Sequence, residues 1–395
     1  MNIPLHHLAG RLSLYPQRSF GHNLRSTRRP LARLVAADCA ATELPGRLAS
    51  LFSLCGQAHR LCSQLALGAL VPALSPLSCV SATGVQDQLD TETLREHVRR
   101  IVLDWPRLLP DTEHGAASLS AGPALASDFT LAAARAQATV WLEQHWLGQP
   151  AGPWLRAWDD RGDAALMSWV NAVQTPLARL LRRLRAYDSG YPIPHTHVLK
   201  PPLAYEQALH WQSALLRDDF LVQPQQDGQA RHTGSWTRTA AGSAVPGVCT
   251  AWTLLGYRVA EVVRLCLGES RTGVLAWGAH ALPQGWALGW VEMARGLLTH
   301  LVRLRDDAGV WRVQRCEVLA PTEWNFHACG IAAHGLAFMA EGGLLGHANQ
   351  DEQRRIALLM AAIDPCVEYD VDWTDEGSLA RDDGAAIAMN GERHA

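Results

Sequence analysis

No stretch of this 395-residue chain reaches the ~20 consecutive apolar residues that a membrane-spanning helix needs. The apolar segment Leu65 to Leu77 is short and carries Pro72 and Pro76. Met1 to Tyr15 has no apolar run of signal-peptide length behind a basic start. A soluble, cytoplasmic protein is therefore expected. Net charge is -3, which gives no reason to expect nucleic acid or an anionic membrane as partner. Lysine is nearly missing, Lys200 being the only one, and phenylalanine is scarce. Arginine and tryptophan are abundant instead, which reads as genome base composition rather than function. There is no repeat of the 20–50-residue kind. The nine cysteines are an odd number with no export signal ahead of them. They are expected to be reduced, mostly small buried hydrophobes, with a few available as metal ligands.

What is present is enough apolar sequence for a sizeable core: 48% hydrophobic against 18% charged residues. Residues 5–14 alternate as a first strand does. Arg25, Arg28, Arg29 and Arg33 form a basic run, read as a solvated face. Leu48 to Leu70 and Thr91 to Trp105 have helical spacing, the second with Leu94, Val98, Ile101 and Val102 on one stripe. Asp128 is placed to cap a helix running to Trp146. Gln149 to Asp163, rich in Gly, Pro and Asp, reads as a loop. Ala164 to Tyr187 reads as a long helix kinked at Pro176. A Pro-rich connection follows from Ser189 to Pro202. Val248 to Leu267 is an apolar helix with Arg258 and Glu261 as its polar points. Leu301 to Leu319 reads as a hairpin turning at Asp306 to Gly309. Ile331 to Leu345 and Glu352 to Ile363 are the last helices. The sum is a mainly helical α+β domain over residues 1–372, with small peripheral β elements. An acidic, loose tail is expected over 373–395.

Two cysteine segments stand at opposite ends of the chain. Cys55, His59 and Cys62 fall at i, i+4 and i+7, one face of a helix. Such a face suits a soft metal, and equally suits a core. Asp364-Pro365-Cys366 follows the last helix. Between them lie Glu292 to His300 (EMARGLLTH), Pro321 to Asn325 (PTEWN), and Thr233-Gly234 with Arg238. Taken in order, these segments resemble nickel–iron hydrogenase large subunits. That family carries C-G-x-C-x-x-x-H, E-T-G-x-x-A-R, E-x-P-R-G-x-L-x-H, P-T-T-W-N and D-P-C-x-x-C-x-x-H. Gly10-Arg11-Leu12 is similar to its N-terminal E-G-H segment. The resemblance spans roughly residues 5 to 372.

The departures are chemical. Enzymes of this family hold nickel and iron with four thiolates. Here Ala58 and Tyr369 stand where the two bridging cysteines would be. Cys62 and Asp372 replace the two motif histidines, and Ala9 replaces the N-terminal Glu. A stable nickel–iron centre is therefore not expected, and without the last His the tail should stay attached. The pattern resembles the HupK/HoxV type of hydrogenase maturation protein. That resemblance implies a non-catalytic scaffold which transiently holds iron with its cyanide and carbon monoxide ligands. It implies Cys55 and Cys366 as iron thiolates, Arg295 over the site, Thr322 as donor to a cyanide and Asp364 as the partner of Arg295. His59 is a ligand, a donor to a thiolate, or neither. Implied partners are the hydrogenase large-subunit precursor and small iron-carrying maturation chaperones. The rivals are a metal-free adaptor in the same pathway, a catalytic hydrogenase large subunit, and a zinc site of Cys55, His59 and Cys62, possibly with Cys366. Arg295 and its acidic neighbours also fit a purely structural ion pair. Thr322 also fits a turn cap. The remaining cysteines, Cys39, Cys79, Cys249, Cys266, Cys316 and Cys329, are expected to pack. His195-Thr196-His197 has chelate spacing without a third ligand nearby.

Overall fold

The computed structural model describes residues 10–74, 82–109, 119–193, 197–239, 249–268 and 275–374. Strands β1 (Leu12–Leu14) and β2 (Leu24–Ser26) pair antiparallel near the start. Residues 5–9 of the expected first strand, residues 375–395 of the expected tail, Cys79, His195 and Thr196 lie outside the described residues.

The helix expected over Leu48 to Leu70 is broken in two. A first helix spans Leu44–Leu51, a 3-10 turn covers Ser53–Cys55, and α1 (Gly56–Leu70) begins after it. Cys55 therefore occupies the N-cap position of α1, with φ -138° and ψ 37°. Helix α2 (Ala82–Arg99) begins earlier than the apolar stripe suggested and runs into a π turn at Arg100–Asp104. Helix α3 (Leu131–Leu142) starts after Thr130, so Asp128 is not its cap.

Gln149 to Asp163 is not a loop, because α4 (Ala151–Arg161) occupies it. Pro153 falls in the first turn, where the backbone N–H has no helical partner to lose. Trp154, Leu155 and Trp158 then bury the inner face. Helices α5 (Asp163–Ala172) and α6 (Pro176–Leu184) are separate. Pro176 starts the second rather than kinking one long helix, and the Thr175 hydroxyl caps it.

Helix α7 (Ala251–Leu267) is the hub, buried at every position from Ala251 to Cys266. It packs against α2, α3, α4 and α9 (below). A four-stranded antiparallel sheet follows: β3 (Trp277–Leu282), β4 (Trp286–Met293), β5 (Gly296–Asp307) and β6 (Val310–Leu319). The expected hairpin is β5–β6. Strand β4 is buried on both faces. Trp286, Leu288 and Trp290 meet Trp211 and Trp324, while Val291 and Met293 meet Ala58, Leu61 and Cys62 of α1. Gly289 allows that approach: a Cβ there would stand 2.5 Å from the Cys62 carbonyl.

A one-turn helix, Pro321–Asn325, precedes α8 (Ile331–Glu341) and α9 (Gln350–Ile363). Strand β7 (Tyr369–Val371), the last described strand, pairs parallel to β1, so both ends of the resemblance lie in one small sheet. No helix among the described residues is long and apolar enough to cross a membrane.

Candidate functional site

Three backbone corners bring the separated segments together. Cys55 sits at the start of α1. Arg295 sits in the tight β4–β5 turn, between the paired residues Met293 and Gly296. Asp364, with φ +65°, ends α9 and turns the chain into Pro365-Cys366. Cys55 and Cys366 share an electrostatic neighbourhood with Arg295 and with Arg28.

Asp364 is the electrostatic anchor. Its carboxylate lies 2.8 Å from Arg258, 3.1 Å from Arg100 and 3.3 Å from Arg295. Burial raises a carboxyl's pKa, but these three guanidiniums win and hold Asp364 well below the usual carboxylate range. Arg295 also reaches Glu96 of α2 at 3.1 Å. Its expected pairing with Asp364 is present, and Glu292 turns away to accept from the Ala276 N–H at 2.9 Å.

Cys55 is buried, and desolvation pushes its thiol up despite the cationic Arg295 beside it. Cys366 is half-buried. The Thr322 hydroxyl donates to Cys366 Sγ at 3.0 Å and accepts from the Cys366 N–H at 3.4 Å. Thr322 thus engages the outer thiol, a contact the sequence did not suggest.

His59 is directed elsewhere. Its Nδ1 lies 3.0 Å from His300 Nε2, and Phe52 stacks on its ring at 4.0 Å. Burial lowers both imidazoles, His300 to about 3, so both are neutral. Cys62 packs in the apolar layer with Leu61 and Val291, and burial raises its thiol. Among the described residues, no three His, Cys, Asp or Glu side chains form a group able to hold a metal ion. The helical spacing of Cys55, His59 and Cys62 does not make a three-residue chelate, because His59 turns to His300 and Cys62 packs in the apolar layer.

Two residues escaped the sequence reading. Arg28 belongs to no solvated face: its side chain is 13% exposed and its Nε bonds Glu323 at 2.7 Å. Burial opposes its charge, but Cys366, Glu323 and Cys55 outweigh burial and raise its pKa. Arg33 likewise pairs with the fully buried Glu317 at 2.6 Å. Arg25 and Arg29 are exposed, as expected of the run. Glu92 is the second omission. It accepts from the Gln57 N–H at 2.8 Å at the start of α1, and burial lifts it to about 7. Nothing in a basic run or an amphipathic helix distinguishes such residues beforehand.

Ala58 is fully buried in α1 and Tyr369 lies in β7. The two positions aligned with bridging cysteines therefore offer a methyl and a phenol. A four-thiolate nickel–iron centre does not fit this donor set.

No family model matches the chain. The hydrogenase expression/formation protein HoxV of Cupriavidus necator is 34% identical over 390 residues, covering 93% of this chain and 96% of that protein. The chain belongs to the HoxV/HupK family of hydrogenase expression/formation proteins. HupK of Bradyrhizobium diazoefficiens is 30% identical over 375 residues, covering 89% of this chain and 92% of the relative. Among solved structures, a chain of an NAD+-reducing NiFe hydrogenase in its H2-reduced state matches with TM-score 0.50 at 14% identity. The match covers 87% of this chain and 91% of that one. The fold is that of a nickel–iron hydrogenase large subunit, as the motifs implied.

Proposed function

We propose that this protein is a non-catalytic hydrogenase maturation scaffold. It transiently holds iron bearing cyanide and carbon monoxide between Cys55 and Cys366, then yields it to the hydrogenase large-subunit precursor. Membership in a family of expression/formation proteins supports the maturation role. The observation that carries the finer reading is a pair of thiols flanked by Arg28 and Arg295, with both bridging positions filled by Ala58 and Tyr369. Two thiolates bind a metal less firmly than four, and a carrier must release what it holds. The guanidiniums offer donors to anionic ligands on the iron. Asp364 and Glu96 fix the orientation of Arg295, as supporting residues around a metal do. Small iron-carrying chaperones are the proposed donors of the cargo.

The test is an infrared spectrum of protein purified without oxygen from cells expressing the maturation system, with iron, nickel and zinc counted on the same sample. Bands of iron-bound cyanide and carbon monoxide, with iron and without nickel, support the scaffold. A sample with neither bands nor iron that still restores maturation identifies a metal-free adaptor instead. Stoichiometric zinc would point to the third rival.

A further inference from the structure

Arg28 is fixed from both ends. Its backbone is pressed against Gly10, whose φ is +72° and where a Cβ would stand 2.7 Å from Arg28 Cα. The β1–β2 pairing adds the Thr27 N–H to the Arg11 carbonyl at 3.0 Å and the Arg11 N–H to the Thr27 hydroxyl at 3.0 Å. Its guanidinium is held by Glu323 at 2.7 Å. Glu323 follows Thr322 in the one-turn helix Pro321–Asn325, and Thr322 holds Cys366. Adjacent residues of one helical turn thus seat the cation and the thiol side by side.

The cation and the thiol are also the outer members of the site. Cys366 is partly exposed where Cys55 is buried, and Arg28 is more exposed than Arg295. Arg28 and Glu323 line a crevice of about 30 Å³, walled by Phe52, Leu221, Val222 and Val318. That volume admits about one water.

We propose that Arg28, clamped by Glu323 beside Cys366, is the anion-selecting residue of the site and draws a negatively charged cargo to the outer thiol. The class of cargo is a small complex or ion with exposed anionic, hydrogen-bond-accepting ligands. A guanidinium fits this task because it stays charged when buried and keeps donors free after one carboxylate is bound. The inference rests on reading Cys366 as a cargo thiol, but its test needs no iron.

The purified full chain is treated with an anionic (sulfonatoethyl) and a cationic (trimethylammonioethyl) methanethiosulfonate. The rate at Cys366 is followed by peptide mass spectrometry, which separates it from the exposed Cys329. The ratio of anionic to cationic rates should fall about tenfold in Arg28→Gln, the order expected for one nearby charge acting on reagents of opposite sign. Arg28→Lys should keep the ratio within about twofold. The double exchange Arg28→Glu with Glu323→Arg keeps an ion pair, and so protects the fold, and should turn the preference toward the cationic reagent. Ratios that match the native chain in Arg28→Gln, or in the exchange if Arg28→Gln does not fold, overturn the proposal. A missing infrared signature with a charge preference that follows Arg28 would sink the iron reading and leave this one standing.

Discussion

Glu261 and Asp364 are both buried carboxylates paired with guanidiniums, and helix α7 serves both. Glu261, on α7, receives Arg238 at 2.8 and 2.6 Å and His97 at 2.6 Å. Asp364, at the end of α9, receives Arg258 from α7, one turn before Glu261, together with Arg100 and Arg295. Both clusters are buried, Glu261 with one guanidinium and Asp364 with three. They differ in what lies next to them. Arg238 turns its third nitrogen, Nη1, to the Met293 carbonyl at 3.1 Å. Arg295 has Cys55 and Cys366 within its electrostatic reach. The comparison teaches that a buried ion cluster is by itself no sign of function. The thiols beside one of them make the difference.

The sharpest way to break this comparison is Asp364→Ala. It leaves three guanidiniums around an empty position, and an expected loss of about 3–5 kcal/mol in chemical denaturation follows from uncompensated buried charge. Glu261→Gln should lose less, about 3 kcal/mol, because a neutral amide still accepts one bond from Arg238.

Acid titration separates the Glu261 cluster further. Glu261 is held down at about 2 against an ordinary 4.5 by Arg238 and His97, which outweigh burial. A depressed carboxyl stabilises the fold fully above its unfolded pKa and loses that contribution as pH falls through its folded one. Stability measured from pH 4.5 down to 2 should therefore fall more steeply in the native chain than in Glu261→Gln. Equal slopes would mean that Glu261 carries no such linkage.

The smallest expected stability effects come from the thiols. Cys55 occupies an N-cap position, where serine is a favoured residue, so Cys55→Ser should change stability by less than about 1 kcal/mol. Cys366→Ser still offers an oxygen to the Thr322 hydroxyl and should stay within about 0.5 kcal/mol. If both serine variants keep the native melting curve while at least one abolishes hydrogenase maturation in cells, the thiols serve function. Intact maturation in both would reduce this cluster to a structural one like that of Glu261.

Much of this was legible beforehand, for specific reasons. The β5–β6 hairpin and the helices after Ile331 follow from local turn chemistry and apolar spacing. The Arg295–Asp364 pairing came through the ordered motifs rather than any periodicity. Where reading failed, the causes were partly local and partly tertiary. The helix at Ala151–Arg161 looked like a loop because Gly152 and Pro153 stand in its first turn, where they do least harm. The helix through Cys55 looked continuous because the 3-10 turn at Ser53–Cys55 interrupts a run of helix-compatible residues. Arg28 looked like surface because its neighbours Arg25 and Arg29 are surface.

The sequence by itself determined the family pattern and the chemical inventory: two thiols kept, two bridging thiols replaced by Ala58 and Tyr369, and no long apolar span. Those are properties of residue type and order, and they survive without coordinates. Only the tertiary structure decided which cations the thiols meet, that His59 turns to His300, and that Thr322 engages Cys366. Such choices depend on where a β-turn, an N-cap and a helix end converge from distant parts of the chain. Buried polar groups must find partners there because water is excluded.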